Sequence, residues 1–364
     1  MANESVRGAD GTNKKSGSSA PLTPAEKQVE RRLLSQLADA IASADSEGVR
    51  KALAAGANPR LVATKNAILD SGLGGFLMEG LTPLIFAAYL GNKEIVEILL
   101  PASAVNGRDD HLNATALMRA ASSGRADLVQ ILLKAGADPF LADKMGRTAL
   151  MEAAANAAFE CVQILLPLSD PNAVNENGEN ALMIACYEAQ EEGGAQTVAA
   201  LLDATANLDA GDAKGETALI KAVRGRSNPA VYRQLFGRVD PDVLDQSGFT
   251  ALMWAVFFSV QRATRDLATV SDLSKPGPKG RTAFDLAVRH KAWEAADLLS
   301  LGSPRKAVQK AFKNAGETNM PRWAALIEAE QLAKIVVKKA PFHQKGSEKE
   351  SENESTVKRR PKSL

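Results

Sequence analysis

One short phrase returns seven times along the chain and leaves few folds open to it. It reads Thr82-Pro83-Leu84-Ile85, Thr115-Ala116-Leu117-Met118, Thr148-Ala149-Leu150-Met151, Asn180-Ala181-Leu182-Met183, Thr217-Ala218-Leu219-Ile220, Thr250-Ala251-Leu252-Met253 and Thr282-Ala283-Phe284-Asp285. Successive copies begin 33, 33, 32, 37, 33 and 32 residues apart. A fixed period of this length means stacked small units, not one globular core. Two residues before each copy sits Gly80, Asn113, Gly146, Gly178, Gly215, Gly248 or Gly280. Gly adopts positive φ at no steric cost and Asn is next best, so each unit requires a tight turn at that point.

Two apolar segments follow each turn. In the first unit they are Leu84 to Leu90 and Ile95 to Leu100, parted by Gly91-Asn92; in the second, Ala116 to Ser122 and Leu128 to Leu133, parted by Gly124-Arg125. Each supports a short helix with an apolar face. Gly136-Ala137-Asp138-Pro139 stops the second unit's second helix. A helical hairpin of this size cannot bury its own apolar face, so neighbours must stack to make a continuous core. Upstream, Leu37, Ala40, Ile41, Val49, Leu53 and Gly56-Ala57-Asn58-Pro59 match a helix pair that lacks the turn, as an N-terminal capping unit would. Thr23-Pro24-Ala25-Glu26 predicts a further helix ahead of it, with an N-cap hydroxyl, a Pro at the first helical position and a Glu for a capping box.

Over about Leu37 to Leu301 the pattern resembles the ankyrin-repeat family, with its 33-residue period and Thr-Pro-Leu-His-x-Ala signature. The implied fold is an all-α repeat solenoid of helix-turn-helix units with β-hairpin or turn fingers. It comprises one N-terminal capping pair, seven repeats and a helical C-terminal extension. One departure is consistent: Ile85, Met118, Met151, Met183, Ile220, Met253 and Asp285 stand where the family has His. Apolar packing is expected to replace the lost hydrogen bond in the first six units. Asp109, Asp143, Asp212 and Asp245 match the family's turn Asp and read as capping residues.

The expected organisation is a disordered segment over residues 1–22, an ankyrin-repeat domain over 23–301, a helical extension over 302–340 and a disordered charged tail over 341–364. Within the domain come capping helices over 23–59, a long loop over 60–77 and repeats over 78–301. The loop holds Gly72-Leu73-Gly74-Gly75, but a phosphate cradle needs a strand before it and a helix after it, which this context does not supply. Residues Ala189 to Gln196 account for the 37-residue spacing and are expected to lengthen a turn between helices.

The resemblance implies a concave binding face lined by the fingers and the exposed flank of each first helix. Phe249, Trp254, Phe257 and Phe258 fall there in the sixth unit, with Tyr89, Leu81 and Leu90 in the first and Tyr187 in the fourth. Clustered aromatics carry large apolar area at low entropy cost, which marks an interface. The competing reading is that they fill space left by a second helix, Gln261 to Val270, poor in large apolar residues. Trp254 is the member expected to sit between units.

Catalytic and metal signatures are missing: no His-Glu-x-x-His, Gly-x-Ser-x-Gly, phosphate-loop Gly-Lys-Ser/Thr or Cys-x-x-Cys occurs. His111, His290 and His343 are scattered. Carboxylates lie mostly where a soluble surface would have them. Cys161 and Cys186 fall at core positions and read as buried thiols. A formal charge of +1 creates no global field toward nucleic acid. No apolar run suggests a membrane span. The reading is therefore a non-catalytic scaffold or adaptor without cofactor, small-molecule substrate or metal, binding a protein partner in the cytoplasm.

Two address signals in the tail open alternatives. The basic run Lys358-Arg359-Arg360-Pro361-Lys362 suits nuclear import. Glu348, Glu350, Glu352 and Glu354 resemble the acidic signal of bacterial type IV secretion effectors, which would make this a secreted effector that engages host protein.

Overall fold

The structure, a computed structural model, describes residues 23–61, 80–188, 192–225 and 227–300. The segments 1–22, 302–340 and 341–364, nearly all of the 60–77 loop, and the import and secretion signals of the tail lie outside the described residues.

Helices α1 (Pro24–Ala42) and α2 (Ser46–Ala54) open the stack. The pairs that follow are α3 (Pro83–Leu90) with α4 (Lys93–Leu99), α5 (Ala116–Ser122) with α6 (Ala126–Lys134), and α7 (Ala149–Ala155) with α8 (Phe159–Leu165). Next come α9 (Ala181–Glu188) with α10 (Glu192–Ala204), α11 (Ala218–Arg224) with α12 (Pro229–Leu235), α13 (Ala251–Phe257) with α14 (Gln261–Leu267), and α15 (Ala283–Arg289) with α16 (Trp293–Ser300). First helices pack on first helices and second on second, so each pair touches mainly its neighbours.

The first helices are apolar almost all round because they are sandwiched. In α3, Pro83, Leu84, Ile85, Phe86, Ala87 and Ala88 are all buried. The Leu of the phrase is buried in every unit (Leu84, Leu117, Leu150, Leu182, Leu219, Leu252; Phe284 in the last), each contributing about 2 kcal/mol of apolar burial. Ala120-Ala121, Ala153-Ala154 and Ala185-Cys186 are small and fully covered, which lets helices approach closely. This is why the chain is rich in Ala and why Cys186 suits its place. Burial pushes the Cys161 thiol up to about 11, and that of Cys186 higher still.

The phrase's Thr caps its helix. Its Oγ1 accepts from the backbone N–H three residues on, at 3.3 Å for Ile85, 3.4 Å for Met151 and 3.2 Å for Met253. Asn180 does the same through Oδ1 at 2.9 Å, so its replacement of Thr conserves the cap. The residues standing where the family's His would be are buried from Ile85 to Met253, as expected, while Asp285 forms a capping box with Thr282. Thr148→Ala is expected to cost about 1 kcal/mol by urea denaturation, and Thr148→Asn a few tenths. Equal loss in both variants would show that the cap bond is not the source.

Three expectations change. The helix expected ahead of the capping pair is continuous with that pair's first helix, giving the 19-residue α1; no Gly or Pro interrupts residues 25–42. Its capping box does form, with Thr23 N to Glu26 Oε2 at 2.7 Å and Glu26 N to Thr23 Oγ1 at 3.3 Å. The insertion near residue 190 does not simply lengthen a turn. Gly193 and Gly194 enter α10, which runs 13 residues; residues 189–191 are outside the described set.

The fingers are the third. Among the described residues they are not two-stranded hairpins but closed turns, with one isolated bridge between Ala142 and Thr148. The turn Asp or Asn is what closes them, and it caps the turn rather than a helix. Asp143 Oδ1 accepts from Met145 N and Arg147 N, both at 2.8 Å. Asn175, Asp212 and Asp245 repeat the arrangement. Gly146 (φ 75°), Gly178 and Gly215 supply the left-handed step and also make room. A Cβ on Gly146 would lie 2.9 Å from Glu176 N in the next finger.

That proximity carries a bond. Each finger donates one backbone N–H to the finger before it: Asp110 to Gly80 O (2.9 Å), Lys144 to Leu112 O (2.7 Å), Glu176 to Met145 O (3.0 Å), Ala213 to Asn177 O (2.8 Å) and Gln246 to Lys214 O (2.9 Å). The equivalent residue in the last unit is Pro278, which has no N–H, and the series ends there.

Candidate partner-binding face

In the second, fifth and sixth units, the side chain four residues after the capping Thr lies beneath its own finger and meets the turn Asp. Arg119 reaches Asp109 Oδ2 at 2.7 Å, Lys221 reaches Asp212 Oδ2 at 2.7 Å, and Trp254 Nε1 donates to Asp245 Oδ2 at 2.8 Å. These acids are therefore not ordinary surface carboxylates: Asp109, Asp212 and Asp245 are all buried. In the third unit the residue beneath Asp143 is Glu152. Burial raises its carboxyl pKa and Asp143 adds to the rise, against the pull of Arg147 at 3.2 Å.

The densest charge cluster joins the fourth and fifth units. Lys221, only 7% exposed, contacts Glu179 at 2.6 Å, Asp212 at 2.7 Å and Glu216 at 3.5 Å. Arg224 pairs with Glu216 on its other side. Burial alone would lower the pKa of Lys221, but its hydrogen bonds to Asp212 and Glu179 dominate and the net shift is upward. Burial would raise Glu179, yet Lys221 and Asn175 hold it below its ordinary value. Sequence reading missed this network. Its signal was the charge sequence Glu179, Glu216, Lys221, Arg224 at positions that line one face once the units are aligned.

The network runs into the aromatic group. Arg224 lies 4.8 Å from the centre of the Trp254 ring, a cation–π distance. Trp254 stacks on Phe249 (4.7 Å) and on Phe258 (5.3 Å), and meets Phe257 edge-on at 5.6 Å. Phe257 also meets His290 of the last unit edge-on at 5.3 Å. Four rings predicted to share a face thus form one cluster. Phe249, Trp254 and Phe258 are half-buried, and Phe249 and Trp254 pack on the core; Phe257 is 44% exposed.

The remaining candidates do not join that cluster. Tyr89 (58% exposed) and Leu90 are exposed at the end of α3, while Leu81 is half-buried against the core. Tyr187 is exposed at the end of α9, and its ring centre lies 5.9 Å from Lys221 Nζ. The face therefore has two apolar ends with a charged, internally paired middle. A small groove of about 170 Å³ in that middle is lined by Arg147, Glu179, Ile184 and Tyr187. Another, open and about 500 Å³, lies off this face at the helix-helix turns of the fifth and sixth units, lined by Ser227, Tyr232, Gln261 and Arg262 among others. Among the described residues no group of three or more His, Cys, Asp or Glu is placed to hold a metal, and no helix is long and apolar enough to cross a membrane.

A family model described as ankyrin repeats, in three copies, matches residues 37–143 and 150–232, just over half of the chain. The aromatic cluster lies beyond the matched residues. No curated protein matches the chain.

Proposed function

We propose a partner-binding role from one premise: the chain belongs to the ankyrin-repeat family, whose units are generally protein–protein interaction modules and typically non-catalytic. The proposed architecture is a capping pair followed by seven repeats. The proposed activity is that of a non-catalytic scaffold or adaptor, acting in the cytoplasm and holding a protein partner against its fingers and first helices. Phe249, Trp254, Phe257 and Phe258 form the main contact, with Tyr89, Leu81, Leu90 and Tyr187 along the same face.

The observation that carries this reading is Phe257, held at 44% exposure. Rings merely filling a gap would turn inward. Here Phe249, Trp254 and Phe258 support an outer ring from below and from the sides, the arrangement of an interface anchor with a packed base. Phe257→Ser is expected to weaken capture of the partner about 30-fold, with helical circular dichroism and melting temperature nearly unchanged. Phe140→Ser, at a still more exposed ring (65%) on the loop ahead of the third finger, serves as the control and is expected to retain the partner. Retention by Phe257→Ser would remove the assignment.

A further inference from the structure

Positive charge is handled differently at the two sides of the aromatic cluster. On this face of the second to fifth units, every Arg or Lys immediately before the capping Thr, or four or seven residues after it, has a carboxylate partner. Arg119 pairs with Asp109, Arg147 with Glu152, Lys221 with Glu179 and Asp212, and Arg224 with Glu216. In the last unit the same positions hold Arg281 and Arg289, and neither has an ion-pair partner among the described residues. Exposed Lys279 at the finger tip has none either. The acids of the fingers and first helices around them are committed: Asp245 to Trp254 and its turn, Asp212 to Lys221, Glu216 to Arg224 and Lys221, Asp285 to the Thr282 cap. Phe257 therefore has a neutralised cation, Arg224, on one side and, on the other, cations with no ion-pair partner among the described residues, with His290 packed against its edge.

We infer that the segment docking at this end of the face is an acidic peptide stretch with an apolar side chain among its carboxylates. The inference rests on the partner-binding reading above and names the chemistry of what binds there. The apolar side chain packs on Phe257 while flanking carboxylates pair with Arg281, Arg289 and Lys279. Arg suits the task because its planar fork meets a carboxylate through two hydrogen bonds. A basic segment would bring like charges together without a compensating acid, and a purely apolar one would cover three cations with nothing to replace their water.

The test uses the full chain and a fluorescein-labelled twelve-residue peptide with Glu at alternate positions around a central Leu-Phe pair. A second probe has Lys in place of every Glu. Fluorescence anisotropy is expected to show binding of the acidic probe and none of the basic one. Raising salt from about 50 to 300 mM is expected to weaken binding several-fold, since the pairs are exposed and the screening length shrinks. Arg281→Glu with Arg289→Glu is expected to lower affinity at least about tenfold, roughly a factor of three or more per reversed charge. Both substitutions are on exposed or half-exposed side chains, and circular dichroism checks the fold. Equal binding of the two probes, no binding of the acidic probe, or indifference to the double reversal each overturns the inference. So does binding that appears only once residues 345–364 are removed, which would assign the face to the chain's own Glu348, Glu350, Glu352 and Glu354. Failure here is distinct from failure of the broader reading. A captured partner that needs Phe257 but ignores the double reversal keeps the face and discards the acidic ligand.

Discussion

Lys221→Met is expected to destabilise the protein by about 3 kcal/mol, because it strands Glu179 and Asp212 around a vanished cation and leaves buried Glu216 with Arg224 alone. Glu179, Asp212 and Glu216 come from two successive units, so the loss falls on the junction between them. In a stack whose units touch only their neighbours, it should appear as early hydrogen exchange in α9 to α12 before the rest of the stack opens. Adding Glu179→Gln and Asp212→Asn to Lys221→Met should recover more than half of the deficit. No recovery would mean that the lysine stem's packing, not its charge, was what mattered.

The pH dependence follows from the same groups. Glu179 is held below its ordinary 4.5, so its contribution is whole above that value and is lost as pH falls through its folded pKa. Lys221 is raised above 10.5; its contribution is whole below that value and fades as pH climbs through its folded pKa. The network thus stabilises the wild type across the interval between them. In Lys221→Met the sign at the acid end reverses, because orphaned carboxylates gain from protonation. The stability gap between wild type and variant should narrow from pH 7 toward pH 4. A gap that is constant over this range would rule the charge account out.

Gly225→Ala is expected to cost about 2 kcal/mol, although the change adds one methyl group to the end of α11. The Gly has φ −69°, so its backbone would accept Ala. What forbids the methyl is the neighbouring unit: the new Cβ would overlap the Tyr187 carbonyl oxygen and lie 2.7 Å from its carbonyl carbon. Ser227 Oγ donates to Cys186 O beside it, which ties the two units together at this close approach. Relief requires α9 and α11 to separate, which also disturbs Arg224 beneath Trp254. The variant should lose helical signal at lower urea and weaken partner capture together. Wild-type stability in Gly225→Ala would show that the gap is wider than it appears.

Much of the fold was legible because its rules are local. A Thr or Asn before each apolar run announced the caps, and Gly or Asn two residues earlier announced the left-handed step that Asn113 (φ 62°) and the glycines adopt. The core followed from the period alone, as with Cys161 and Cys186. What stayed hidden depends on contacts between units. Nothing near Lys221 in sequence says it is buried, because Glu179 is supplied from 42 residues away. Gly225 reads as an ordinary turn glycine until Tyr187 is seen against it. The aromatic group was visible as a list of residues with Trp254 singled out for the place between units, but the outer position of Phe257 was not: only packing separates that supported ring from Phe249, Trp254 and Phe258 beneath it.

The finger edge ends in a proline, and that changes how the stack yields to force. Five backbone bonds stitch successive fingers, and the sixth is missing because Pro278 has no hydrogen to give. Among the described residues the last unit is fastened instead through its helices, α15 against α13 and α16 against α14, and through Asp272 N, which donates to Asp242 Oδ2 at 2.8 Å ahead of the finger. Resistance to twisting is expected to be lower at the junction that Phe257 and His290 bridge than at the five stitched ones. Arg281 and Arg289 ride on the pliable side of it and the rings on the stiff side. A ligand seated across that junction meets a clamp with one rigid jaw and one compliant jaw, able to close on segments of different girth, and the entropy lost on closing sets an upper limit to its grip.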